Sequence, residues 1–224
     1  MDQGPKSYWA EFLGTFTLCF IGQGSICVAQ LMNAGAGALL AIAAAHGIAL
    51  MVMISALGAT SGGHFNPAVT LGFVITGRQS MTSAITYWIS QLLGALAASF
   101  LLRSVIPGEA GQAVHWGVPA LAVGVSASQG LIIEFVLTFF LVTAVWGTAV
   151  DPKAPKIGGF GIGLTVLMDI LVGGPLTGAA MNPARAFGAA CASGVWGSHW
   201  IYWVGPLLGG AAAARVYKSV VLKA

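Results

Sequence analysis

Two short stretches carry polar residues into an apolar chain: "SGGHFNPAVT", residues 61–70, and "TGAAMNPARA", residues 177–186. Each holds an Asn-Pro-Ala core. The first is Asn66, Pro67 and Ala68, the second Asn182, Pro183 and Ala184, and 182 − 66 gives an offset of 116. Asparagine is a good helix N-cap, and proline suits the first helical turn, where its missing N–H would be unpaired anyway. Each core therefore predicts a helix start. Such a start carries about half a positive charge from the helix dipole, and asparagine adds amide donors. Two starts facing one another could hold the oxygen of a small neutral molecule and repel a cation. Gly62 and Gly63, and Gly178 in the second stretch, allow extended backbone that aims carbonyls. The carbonyls of Gly62, Gly63, His64 and Phe65, and of Gly178, Ala179, Ala180 and Met181, are expected to form a polar ladder.

Arg185 follows the second core directly, and Glu11 and Glu134 lie within apolar runs. Ionisable residues at membrane depth are expensive, and they mark pathways unless they are bonded into the structure. Arg185 reads as a donor lining the path. The two acids are predicted to accept backbone N–H groups from the two Asn-Pro-Ala loops; a proton relay is the competing reading. Asp169 has no acidic counterpart in the first half. No nucleophile–base pair, metal cluster or phosphate loop is present, so neither an enzyme nor a bound cofactor is expected, and nothing marks a nucleic-acid partner. Cys19, Cys27 and Cys191 lack metal-ligand spacing.

The elements that position these groups follow from composition. The chain has 224 residues, 57% hydrophobic and only 7% charged, where a soluble domain carries about 25% charged residues. It reads as an all-α, multi-pass membrane protein. Six long apolar runs, 8–31, 37–59, 81–104, 128–149, 157–174 and 199–220, match the length of about 20 residues that a spanning helix needs. The polar head 1–7 and the long first run do not resemble a signal peptide. Two shorter runs, 66–77 and 182–194, are too short to cross at about 1.5 Å per residue. They are predicted to be re-entrant half-helices buried inside the bundle.

The halves repeat. "AEFLGTF" from Ala10 matches "IEFVLTF" from Ile133, and "YWISQLLGA" from Tyr87 matches "YWVGPLLGG" from Tyr202. Each half holds three spans, an odd number, so the second half enters from the opposite side. This is an inverted repeat, approximately 8–104 and 128–220 with a loop over 105–127, in one channel domain spanning 1–224. Such folds place their site near the midplane, at interrupted helices in corresponding positions of the two halves. Lys6, Arg78, Lys153, Lys156, Arg215, Lys218 and Lys223 fall on the side of the termini, against Arg103 and Arg185 elsewhere. Positive residues collect on the cytoplasmic side, so both termini are predicted to be cytoplasmic.

Taken together, these features resemble the aquaporins of the major intrinsic protein family. The resemblance rests on "HFNPAVT" and "MNPARAF" in matching halves and covers essentially the whole chain. It implies a homotetramer of passive channels. It also implies a constriction at His46, Ile170, Ala179 and Arg185, carried over by spacing from the two motifs. Strictly water-selective members resemble Phe, His, a small residue and Arg at these positions. This chain departs from that pattern and is similar to the tonoplast intrinsic protein and aquaporin-8-like branch. That branch implies ammonia, hydrogen peroxide or urea as permeants beside water. Ala186 stands where glycerol facilitators tend to carry Asp, which disfavours glycerol. His115, in the long middle loop, resembles a filter-side histidine of that branch without aligning cleanly. The membrane is a plasma or inner membrane, or a vacuolar one. A gated or structural membrane protein with this fold and low permeability is the alternative.

Overall fold

The computed structural model describes residues 4–155 and 157–222. Lys156 and Lys223, used above for orientation, lie outside the described residues. Among the described residues the chain is all helical, in the order α1 (Pro5–Leu31), α2 (Leu39–Ser61), α3 (Pro67–Ile75), α4 (Met81–Val105), α5 (Gly108–Ala113), α6 (Ala127–Val145), α7 (Phe160–Thr177), α8 (Pro183–Ser193) and α9 (Ile201–Val216).

The starts of these helices follow their residues. Pro5 opens α1, and the Ser80 side chain accepts from Ser83 N at the start of α4. Ser126 and Gln129 form a reciprocal capping box on α6. Asn66 and Asn182 sit in extended backbone, and their side-chain oxygens cap α3 and α8, each of which begins with proline.

Among the described residues five helices are long and apolar enough to cross a membrane: α1, α2 with the turn before it, α4, α6 with its extension, and α7. The sixth run, 199–220, is not one continuous α-helix. Its α-helical part, α9, has 16 residues, and Tyr217–Val221 continue it as a wider π turn. Two polar anchors hold that turn: Tyr217 Oη donates to Asp151 Oδ2 at 3.2 Å, and Lys218 Nζ donates to the Thr76 carbonyl at 2.7 Å. α6 ends in the same way, in a π turn over Trp146–Val150. The loop 105–127 carries the short α5 and a 3₁₀ turn, His115–Gly117, neither of which has an apolar period to announce it.

Within the first half α1 packs on α4 and α2, and within the second α6 packs on α9 and α7; α2 and α7 join the halves. A Cβ on Gly94 would strike the Phe12 carbonyl, and one on Gly209 would strike the Phe135 carbonyl. These two glycines differ by 209 − 94 = 115, the offset of the Tyr-Trp repeat, and they set the closeness of the two equivalent crossings. At the junction, Gly47 and Gly163 each bring their helix against the other's carbonyl. Small residues permit such approaches where lipid supplies no hydrophobic drive between helices. Each half-helix lodges in the other half: α3 packs mainly against α9, and α8 against α4.

Candidate functional site

The loops that lead into α3 and α8 are built on the two acids. Glu11 is fully buried; its Oε1 accepts from Ser61 Oγ at 2.7 Å and His64 N at 3.0 Å, and its Oε2 accepts from Phe65 N at 2.7 Å. Glu134, also fully buried, repeats the pattern. Its Oε1 accepts from Thr177 Oγ1 at 2.7 Å and Ala180 N at 2.9 Å, and its Oε2 accepts from Met181 N at 2.8 Å. Charge-assisted bonds to backbone N–H groups are about twice as strong as neutral ones. They satisfy loop donors that hydrocarbon could not. Tyrosines complete both nests, Tyr87 donating to the Ser61 carbonyl at 2.8 Å and Tyr202 to the Thr177 carbonyl at 2.9 Å.

Held in this way, the loops take up strained backbone. Phe65, Ala179 and Met181 have φ of 48°, 42° and 51°, a left-handed region that costs a non-glycine residue about 1–3 kcal/mol. At Phe65 and Met181 the strained residue immediately precedes a capping asparagine, and its carbonyl is engaged across the centre. Asn66 Nδ2 donates to the Met181 carbonyl, and Asn182 Nδ2 donates to the Phe65 carbonyl, each at 2.8 Å. The oxygens Oδ1 face their own helices, accepting from Ala68 N at 2.9 Å and Ala184 N at 3.0 Å. An amide has two N–H bonds. One on each asparagine is used by the opposite loop, and both asparagines line the central cavity. One N–H of each remains to serve it.

The same cavity is lined by Gly63, His64, Ala179, Ala180 and Met181. Other residues expected in the carbonyl ladder sit elsewhere. Gly62 lines a wider cavity on the face of the termini, together with Arg78. Phe65 is wholly buried with its carbonyl committed to Asn182, and the Gly178 carbonyl accepts from Arg185 Nη1 at 3.5 Å. A side of apolar residues, among them Leu50, Val69, Leu141 and Val166, faces the polar side. On His64, Nδ1 lies 3.1 Å from Thr70 Oγ1. Thr70 spends its own proton on the Asn66 carbonyl and also accepts from Gln91 Nε2, so His64 Nδ1 is the donor.

His46, Ile170, Ala179 and Arg185 all line this cavity. Residues 124 positions apart in α2 and α7 (170 − 46) thus meet. His46 Nδ1 lies 2.8 Å from the Ile42 carbonyl, which can only accept, so the proton is on Nδ1. Nε2 then has a free lone pair and accepts from Arg185 Nε at 3.3 Å. The imidazole is neutral, with both nitrogens engaged. Its ring fits because α1 carries Gly22 opposite; a Cβ there would overlap the ring. The arrangement offers a narrow path with donors on one wall and apolar residues on the other.

The chain thus has two reciprocally bonded capping asparagines beside one cavity. The family described as "Major intrinsic protein" matches residues 3–217. The chain belongs to the major intrinsic protein family. It is 46% identical to "Probable aquaporin TIP3-2" of Arabidopsis thaliana, over 95% of this chain and 82% of that one. It is 44% identical to "Aquaporin TIP4-4" of Zea mays, over 97% of this chain and 87% of that one. Among solved structures it is similar to an aquaglyceroporin from Plasmodium falciparum, with a TM-score of 0.86 over 97% of both chains at 22% identity, a likeness of fold. It is therefore a multi-pass integral membrane protein of a channel family.

In this major intrinsic protein several supporting residues escaped sequence reasoning. Ser61 and Thr177 each lie five positions before their asparagine (66 − 61 and 182 − 177), and that shared spacing could have revealed them. Gln91 donates to Glu11 Oε2 at 2.7 Å, but its counterpart at the offset of 115 is Pro206, so the second nest has one donor fewer. His115 is exposed and does not line the cavity. Asp169 does not line it either; it lies in a groove between α6 and α7.

Proposed function

We propose that the whole chain acts as one passive channel domain, conducting water and small neutral solutes and excluding ions and protons. The observation that carries this reading is the reciprocal pair of bonds at 2.8 Å by which each asparagine is held by the other loop. Each Nδ2 keeps one N–H for the lumen beside a helix N-terminus. A water at the centre would accept from both, and its hydrogens would then point outward, which breaks a proton wire. A cation there would meet two positive helix ends, with Arg185 further along the path, and no full replacement for its hydration shell.

The constriction we assign is His46, Ile170, Ala179 and Arg185. Ile170 gives an aliphatic wall in place of a second polar group. This supports ammonia, hydrogen peroxide or urea as permeants beside water. Glu11 and Glu134 serve as loop supports in this reading, not as proton relays, because their oxygens are occupied by loop donors. Both termini face the cytoplasm, in a plasma, inner or vacuolar membrane, and the working unit is a homotetramer.

The experiment is stopped-flow on proteoliposomes, with osmotic shrinkage and ammonia-driven internal alkalinisation measured on one preparation. Water flux well above that of empty vesicles, with ammonia flux, is the expected result. Water without ammonia would mean a filter narrower than its residues imply. Neither flux in correctly folded protein would overturn the open-channel reading in favour of a gated or structural role.

A further inference from the structure

We propose that Arg103 and Lys218 are a matched pair of positioning residues, each binding the outer end of the other half's short helix and strengthening the positive field with which that helix faces the lumen. The proposal rests on the ion exclusion read above and extends it to two residues far from the constriction.

The two side chains make the same contact in the two halves. Arg103 Nη1 donates to the Ala192 carbonyl at 2.6 Å, in the last turn of α8. Lys218 Nζ donates to the Thr76 carbonyl at 2.7 Å, at the C-cap of α3. The donors differ by 218 − 103 = 115 and the acceptors by 192 − 76 = 116, the offsets of the Tyr-Trp and Asn-Pro-Ala repeats. The residues after each donor repeat as well, as "RSV" from Arg103 and "KSV" from Lys218. In both cases the cation comes from the half that does not hold the short helix, at or just past the end of the span on which that helix packs. Arg103 stands apart from the positive residues that collect on the side of the termini, and this contact gives it a task there.

The last carbonyls of a helix have no partner within it. They gather about half a negative charge, the mate of the half positive charge at the other end. In a long helix the two poles are far apart. Here α3 has nine residues and α8 eleven, so each negative pole lies only about 14–16 Å behind its capping asparagine. Across a protein interior of low dielectric the pole is still felt at that distance. It subtracts from the positive potential that the same helix presents to the lumen. A cation bound at the terminal carbonyl offsets the pole and removes that subtraction.

A cation at a helix C-terminus can also do no more than stabilise that helix. Two observations favour the wider role. Both short helices receive the contact, and their other ends meet at one point, where Asn66 and Asn182 are bonded across the centre at 2.8 Å. The two sites also use different cations. A guanidinium is a planar fork and an ammonium a point charge, so positive charge and reach are what the repeat shares, and fork geometry is not. The grip has a second effect in the same direction: it holds each short helix along its axis and so keeps its asparagine at the lumen.

The test uses Arg103→Met and Lys218→Met, singly and together, in the full chain in proteoliposomes. Methionine keeps an apolar stem and removes the charge. Proton leak is driven by a potassium diffusion potential and read with an enclosed pH dye, and osmotic water flux is measured on the same vesicles. Each single variant is expected to leak protons several-fold faster than the native chain while water flux persists, and the double variant faster than either. Arg103→Lys and Lys218→Arg, which keep the charge, are expected to leak no more than the native chain. Native-level leak in the single Met variants overturns the proposal, and so does an equal leak in the charge-keeping variants. A lower melting temperature with exclusion intact overturns it too, since the residues would then serve stability alone. A native chain that leaks as fast as the Met variants overturns this proposal and the channel reading together. A tight native chain with tight Met variants overturns this proposal alone.

Discussion

Arg185 Nε donates to His46 Nε2 at 3.3 Å, joining the helix that follows the second asparagine to the first half of α2. The guanidinium is thereby held to one side of the path by a neutral ring. His46→Ala removes the partner and the bulk together. It is expected to raise urea and glycerol flux several-fold over the native chain while water flux persists, measured by stopped-flow light scattering on proteoliposomes. Unchanged flux of the larger solutes would mean that the narrowest point lies elsewhere.

The positive charge of Arg185 has a separate consequence. It is 4% exposed and lines the lumen. Arg185→Val widens the path and removes its one fixed cation. Proton and cation conductance in voltage-clamped oocytes is expected to rise above the native background, with water flux kept. The helix N-termini remain, so exclusion is expected to weaken and not to vanish.

The two acids make a paired prediction about stability. Glu134→Gln replaces one acceptor oxygen with an NH₂ group, so a buried donor among Thr177 Oγ1, Ala180 N and Met181 N loses its acceptor. A stranded buried donor costs about 1–3 kcal/mol. The apparent melting temperature in detergent is expected to fall by several degrees. Glu11→Gln is expected to fall by a similar amount, because a donor among Ser61 Oγ, His64 N, Phe65 N and Gln91 Nε2 loses its acceptor.

Close approach between helices is tested at Gly22. A Cβ there overlaps the His46 ring. Gly22→Ala is expected to push the ring toward the lumen and cut water flux about tenfold or more, with the protein still folded by circular dichroism. The double variant Gly22→Ala/His46→Ala is expected to recover flux, since the clash is gone. Failure of that recovery would place the effect in α1 packing instead.

The sequence by itself determined the long spans and the two Asn-Pro-Ala breaks between them, though not the short α5 of the middle loop. Long apolar runs specify spans because hydrocarbon leaves the backbone no partner but itself. Asn-Pro-Ala specifies a helix start because of capping and proline geometry that act locally. The repeat of those signals at offsets near 116 gave the inverted plan. The sequence did not reveal the nest of Ser61, Tyr87 and Gln91 about Glu11, nor its poorer copy about Glu134. Nor could it show that Gly22 makes room for His46, that Phe65 turns its carbonyl to Asn182, or that the last span ends in a π turn. Those depend on atoms from segments tens to more than a hundred residues apart meeting within hydrogen-bond range. Local propensity has no term for such meetings, and only the packed tertiary structure decides them.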